Sequence, residues 1–338
     1  MILFKRLGTH HIDTIMPSEN TPQAKLTTVA CFPKKYFLEN LAIRSDNSVL
    51  VSAMNHNELW YVPPLNGDVP VNPSCIHTFG EPTLGIVEVE PDIFYISTCN
   101  LYTSHEAYLH RMDLRDWAPG KPVNPEVVLK FPDIARGLNG SCLIAPKIML
   151  VADCFAGLIW RVDLPSDGGK ATARVWLKHD SMDYDPNGPL PTQPGVNGLK
   201  YVSKTNYLYY TSTAKELFMR VLIDPDTHDP AGEPEFVAGG RMADDFCIDE
   251  NAGVAYMTTH RQNTIDRVPL EPSENTDFGR HSVAGDAFTE QLIGPSSGAW
   301  GRGPGEDGRV AYFLSDGGTK SPPPDGVVRP AKLLRVEF

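Results

Sequence analysis

The chain repeats one arrangement of apolar and polar positions. A short apolar run leads into a turn rich in Asp, Asn, Gly or Pro. A second apolar run follows and ends in Ser, Thr or Asp. Six stretches fit: "ENLAIRSDNSVLVSAM" from Glu39, "LGIVEVEPDIFYIST" from Leu84, "NGSCLIAPKIMLVADC" from Asn139, "NGLKYVSKTNYLYYTST" from Asn197, "DDFCIDENAGVAYMTT" from Asp244 and "SGAWGRGPGEDGRVAYFLS" from Ser297. Short apolar runs bounded by turn residues predict strands joined in hairpins. A second marker keeps step: "LWYV", "HRMDL", "WRVDL", "MRVLI", "DRVPL" and "LRVEF". Units of roughly 45 to 58 residues with about four strands each predict an all-β fold, a six-bladed β-propeller of antiparallel blades. One unit cannot bury both faces of its sheet alone; arranged radially, neighbours cover one another. The whole chain, 1–338, is expected to form this single unit. No apolar period of a long helix is sustained anywhere.

Composition narrows the partners. The 338 residues carry a net charge of −12, which disfavours nucleic acid and anionic membrane surfaces. No apolar stretch is long enough to cross a bilayer as a helix. "MILFKRLGTHHIDTIMPSEN" lacks an apolar h-region, so it does not read as a signal peptide, and the compartment stays open. The 30 prolines and 28 glycines are spread along the chain, as many short turns require. Six cysteines without a Cys-x-x-Cys pair read as buried free thiols, with a bridge or two conceivable in a secreted protein. "HDSMDYDPNGPLPTQPG" and "GTKSPPPDGVVRP" read as loops on one face of the propeller, over the channel mouth.

Candidate chemistry lies at the blade openings. The first strand of each blade lines the central channel, so Glu39, Leu84, Asn139, Asn197, Asp244 and Ser297 should converge on the axis. Two carboxylates and two carboxamides form a hard-oxygen set suited to Ca²⁺, Mg²⁺ or Mn²⁺. Without a cation the carboxylates repel and one shifts its pKa upward. The bland alternative is that Asn-Gly and Asp-Asp merely make turns.

This order of Glu, Asn, Asn and Asp resembles the SMP-30/gluconolactonase/luciferin-regenerating-enzyme-like superfamily of six-bladed propellers. The resemblance implies that Glu39, Asn197 and Asp244 are metal ligands and that Asn139 contacts substrate. "ENLAIRSDNSVLVS", "GIVEVEPDIFYIS", "LNGSCL" and "ADDFCID" look like a fungal natural-product branch of it. That branch includes hetero-Diels–Alderases, which join a tropolone-derived quinone methide to a humulene-type alkene. The chain departs from the superfamily pattern twice. Glu39-Asn40-Leu41 stands where Glu-Gly-Pro is usual, and Ala243-Asp244-Asp245 where Pro-Asp-Gly is usual.

Other matches are weaker. Gly294-Pro295-Ser296-Ser297-Gly298 fits Gly-x-Ser-x-Gly, but no helix can follow it and no His comes after His281. Asp183 to Gly188 copies half of an EF-hand loop and lacks its closing Glu. His10-His11-x-Asp13 precedes the first blade and reads as a surface cluster. Most aromatics, such as Trp60, Tyr108, Trp160, Tyr184, Tyr209 and Tyr210, should pack between blades. Tyr102, His105, His260, Trp300 and Arg302 are candidates for a pocket at the Asn139 end.

Three functions follow. A hetero-Diels–Alder cyclase would hold small apolar partners and hydrogen-bond a carbonyl oxygen through Asn139, Asn197, Tyr102 or His260. Leu84, His105, Ser297, Trp300 and Arg302 would bind substrate, and no cofactor would be required. A lactonase would use Ca²⁺, Mg²⁺ or Mn²⁺ on Glu39, Asn197 and Asp244. A non-catalytic propeller would only bind a ligand. Oligomeric state is not readable.

Overall fold

The computed structural model describes residues 23–165, 169–184, 187, 193–272, 280–286 and 290–338. They form 24 strands in six antiparallel four-stranded sheets, with two 3₁₀ turns, Met54–His56 and Asp180–Met182. The six-bladed propeller is therefore present. The inner strands are Leu38–Ile43, Thr83–Glu90, Leu138–Ala145, Val196–Val202, Ala243–Asp249 and Pro295–Trp300. Each touches the inner strands of both neighbouring blades, which closes the ring. The second sequence marker falls on the third strand of every blade.

Six apolar clusters fill the six gaps between blades. The second strands show why one blade is not enough. In Ile148–Asp153, Met149 and Val151 enter the cluster shared with blade 2, whereas Leu150 and Ala152 enter the one shared with blade 4. Alternate side chains point to opposite faces, and both faces are buried. Burial of Met149, Leu150 or Val151 contributes about 1.5–3 kcal/mol each.

Blade 6 closes the circle with both ends of the chain. Its outermost strand is Lys25–Lys34, paired antiparallel with Pro330–Glu337. The sequence pattern began at Glu39 and had left that strand unassigned.

The inner strands share an irregularity that the sequence pattern concealed. In each, two residues face one on the second strand. Leu38 pairs with Ala53 and Leu41 with Val51, so Glu39 and Asn40 oppose Ser52. The equivalent pairs are Leu84–Gly85, Asn139–Gly140, Asn197–Gly198 and Asp244–Asp245. In blade 6 the pair is Ser296–Ser297. These are β-bulges, which bend a strand and re-aim side chains. The Asn-Gly repeats are thus bulges inside strands and not turns.

The hydroxyls that end the second apolar runs serve the bulges. Ser52 Oγ accepts from Asn40 N, Thr211 Oγ1 from Gly198 N at 2.9 Å, and Thr258 Oγ1 from Asp245 N. A bulge N–H that leaves the ladder needs such a partner when buried.

All six cysteines are free thiols; Cys31 and Cys75 are exposed and the other four are buried. Among the described residues no helix is long and apolar enough to cross a membrane.

Candidate active site

The first bulge residues meet in one place. Glu39, Leu84, Asn139, Asn197 and Asp244 line a single cavity on the axis, about 620 Å³ including its open mouth. The sixth position needs correction. By register the equivalent of Glu39 is Ser296, not Ser297. Ser296 Oγ donates to Leu38 O at 2.6 Å and does not line the cavity. Ser297 lies one position further along and donates to Asp245 Oδ2 at 2.8 Å.

The floor consists of two carboxyl–carboxamide pairs. Asn197 Nδ2 donates to Asp244 Oδ1 at 2.6 Å and to Thr213 Oγ1 at 3.0 Å. Thr213 Oγ1 in turn donates to Ala243 O. The Asn139 side chain hydrogen-bonds Glu39. Burial pushes the Glu39 carboxyl up to about 7; the charge of Asp245 adds to this, and Asn139 and Lys320 oppose it. Burial also holds Asp244 well above the usual carboxylate range, followed by the charge of Glu39, while His260 and Asn197 pull the other way.

The walls come from two classes of loop at the same end of the ring. Phe37, Pro194 and Met242 immediately precede or adjoin inner strands. Met54, Leu101, Phe155 and Arg261 lie just past the second strands of blades 1, 2, 3 and 5. The sequence reading missed all of these. The available signal was their phase, the first residues beyond each second apolar run. Lys320, from the Pro-rich "GTKSPPPDGVVRP" segment, also lines the cavity, as does Gln193 from the other long insert. Both inserts therefore reach the mouth, as expected.

Of the five rim candidates, two are at the cavity. Tyr102 stands at its edge and is 67% exposed. His260 is buried in its wall, with Nε2 3.2 Å from Asp316 Oδ2. Asp316 is fixed by the backbone N–H groups of Gly318 and Lys320. His105 shares the loop of Tyr102, in a left-handed turn at φ 55, and is not among the lining residues. Trp300 and Arg302 lie at the opposite end, where the inner strand turns into the second. Trp300 Nε1 donates to Ile248 O, and Arg302 pairs with Glu88. Hairpin connectivity puts the end of an inner strand away from its start, so neither reaches the site. Arg302 instead borders a polar recess between blades 6 and 1.

The Gly-x-Ser-x-Gly match is spent on the bulge. Gly294, at φ +64, leads into the strand Pro295–Trp300, and no helix follows. His10, His11 and Asp13 lie outside the described residues, as does part of the EF-hand-like loop.

The second bulge residues close the channel beneath. A Cβ on Gly140 would lie 2.6 Å from Asn197 O, and Gly85 and Gly198 are equally crowded by the next blade. These glycines let neighbouring inner strands touch. Asp245 occupies the same level, held by Lys200 Nζ at 2.6 Å and by Ser297.

Among the described residues no three His, Cys, Asp or Glu side chains cluster as a metal site. A divalent ion on the floor would therefore need carboxamide oxygens as well. The oxygen-only donors Glu39, Asn139, Asn197 and Asp244 fit such an ion, because it would relieve the repulsion between the two acids. The Asn197 amide would have to turn its oxygen inward, a choice that its terminal geometry allows.

No protein-family model and no curated protein sequence matches the chain. Solved structures do. A luciferin-regenerating enzyme superposes with a TM-score of 0.66 at 13% identity, covering 93% of this chain and 95% of its own. The calcium-binding protein regucalcin from Agrobacterium tumefaciens gives 0.60 at 15%, covering 92% and 95%. A PQQ-bound aldose sugar dehydrogenase from Streptomyces coelicolor gives 0.57 at 15%, covering 95% and 100%. At such identities the likeness establishes the propeller architecture and nothing finer.

Proposed function

We propose that the axial cavity is the active site of a cyclase of the hetero-Diels–Alder type. The observation that carries this reading is an apolar cage over a buried floor whose acids are costly to ionise. A cycloaddition forms two bonds without net proton transfer. It needs its partners held face to face and a hydrogen bond to the oxygen that gains charge. Phe37, Met54, Leu101, Phe155 and Met242 supply the walls. Holding two reactants in a near-attack pose can contribute up to about 7–11 kcal/mol. Asp244, Glu39 or the amide of Asn139 donates to the heterodiene oxygen from a preorganised floor, while Asn197, whose two N–H groups serve Asp244 and Thr213, orients the Asp244 carboxyl rather than donating itself. His260, held through Nε2 by Asp316, fixes the wall beside this floor. The closed second ring keeps solvent from entering from below. The partners implied by the sequence resemblance are a tropolone-derived quinone methide and a humulene-type alkene.

The test is product formation from these partners in EDTA. The reading expects undiminished turnover. Loss of turnover that Ca²⁺ or Mn²⁺ restores would overturn it.

A second reading, a metal-dependent lactonase, is favoured by the donor set. Glu39, Asn197 and Asp244 would hold the ion, with Asn139 beside it. The ion would supply Lewis acidity toward a lactone carbonyl. The chain's part would be to orient the ring against the apolar wall. Two of the superposed structures are a luciferin-regenerating enzyme and a calcium-binding protein. Asp244→Ala should then abolish lactone hydrolysis, and unchanged hydrolysis would sink this reading.

A further inference from the structure

Two cationic side chains line the cavity and act on the floor only through their charge, Lys320 on Glu39 and Arg261 on Asp244. Arg261 follows His260 in the loop past the second strand of blade 5, and Lys320 belongs to the corresponding loop of blade 6. Arg261 is half-buried, and Lys320 is exposed at the mouth. Among the described residues neither side chain forms an ion pair within 4.0 Å.

The acids nearby are already engaged. Asp244 is bonded by Asn197, and Glu39 by Asn139. Asp316 accepts from His260 and from the backbone of Gly318 and Lys320. A chain of net charge −12 thus presents, at the rim of its apolar cavity, two cations with no direct ion pair among the described residues. Burial disfavours the Arg261 charge, and the charges of Asp316 and Asp244 offset this only in part, so a bound anion would complete it.

We propose that the cavity recognises ligands with an apolar body and one anionic oxygen group, a carboxylate or an ionised acidic enol. The anion lies between Arg261 and Lys320, and the apolar body lies against Phe37, Met54, Phe155 and Met242. This deepens the cyclase reading and rests on the cavity being the substrate site. The anion anchors one edge of the substrate at the mouth and directs its reacting face to the floor. Arg261 offers a planar fork for two oxygens, and Lys320 a mobile point charge.

The test uses 2-naphthoate and its methyl ester, with binding to the intact chain followed by calorimetry. The wild-type protein should bind the carboxylate at least about tenfold more tightly than the ester, as expected for charge-assisted hydrogen bonds. Arg261→Gln and Lys320→Gln should each weaken 2-naphthoate by about tenfold and change the ester less than twofold. Arg261→Lys should recover part of the loss, and added salt should weaken only the carboxylate. Lys320 is exposed, so its variant tests the idea even where an Arg261 variant folds poorly. Equal binding of acid and ester, equal weakening of both by the variants, or no binding of either would overturn the proposal. Carboxylate selectivity without any cycloaddition would overturn the cyclase reading alone.

Discussion

Asp244 and Asp245 are adjacent, both buried, and opposite in their electrostatics. Asp244 points into the cavity and has a carboxamide for a partner. Asp245 points into the channel below and has an ammonium group and a hydroxyl. The same contrast runs around the ring. Glu39, Asn139, Asn197 and Asp244 keep their polar ends toward the cavity, whereas Gly85, Gly140 and Gly198 seal the channel by close contact with the next blade. One backbone irregularity, repeated six times, therefore makes a cavity floor and a structural plug within two residues. The floor holds acids that are costly to ionise; the plug holds one that is paired. Function is expected to fail at the first ring and stability at the second.

The largest effect should come from the plug. Asp245→Ala leaves the buried Ser297 hydroxyl and the part-buried Lys200 without their acceptor and should cost about 3 kcal/mol in urea unfolding. A loss well under that would mean that Lys200 simply swings to solvent. Next is Gly140→Ala, whose Cβ would meet backbone of blade 4. About 2 kcal/mol of destabilisation is expected from such overpacking. Gly232→Ala, where the space is open, is the control and should be near neutral.

A comparable effect concerns pH. Glu39 has its folded pKa raised from 4.5 to about 7. Between these values the folded state holds a proton that the unfolded state has released. Stability from this group is present at acid pH and declines as pH rises from 4.5 through 7. Glu39→Gln should flatten the fall in melting temperature over that window relative to the wild type. An identical slope in both proteins would mean that Glu39 is ionised throughout.

The propeller was legible because its cause is a periodic burial pattern. Middle strands such as Ile148–Asp153 are apolar on both faces, and the units recur at a steady interval. Convergence of Glu39, Leu84, Asn139, Asn197 and Asp244 was legible for the same reason. The bulges were not. Asn-Gly usually signals a turn, and pairing register leaves no mark in composition. Here Gly140 is required for close approach of the next strand and not for a left-handed backbone. The one-residue slip from Ser296 to Ser297 followed directly from not seeing the bulge. Trp300 and Arg302 were misplaced because the first hairpin turn lies at the far end of the ring. Arg261 and Lys320 carried no local motif; only the closed ring brings blades 5 and 6 to the same mouth. The N-terminal strand of blade 6 was missed because its partner lies about 300 residues away.

The comparison between the two rings has one direct test. Turnover of the quinone methide and alkene and thermal melting are measured together for Asp244→Leu, which removes the donor, and Asp245→Asn. The account predicts that Asp244→Leu loses turnover at a little-changed melting temperature. Asp245→Asn should lose melting temperature and keep its turnover per folded molecule. The reverse pattern, or equal loss of both properties in both variants, would contradict it.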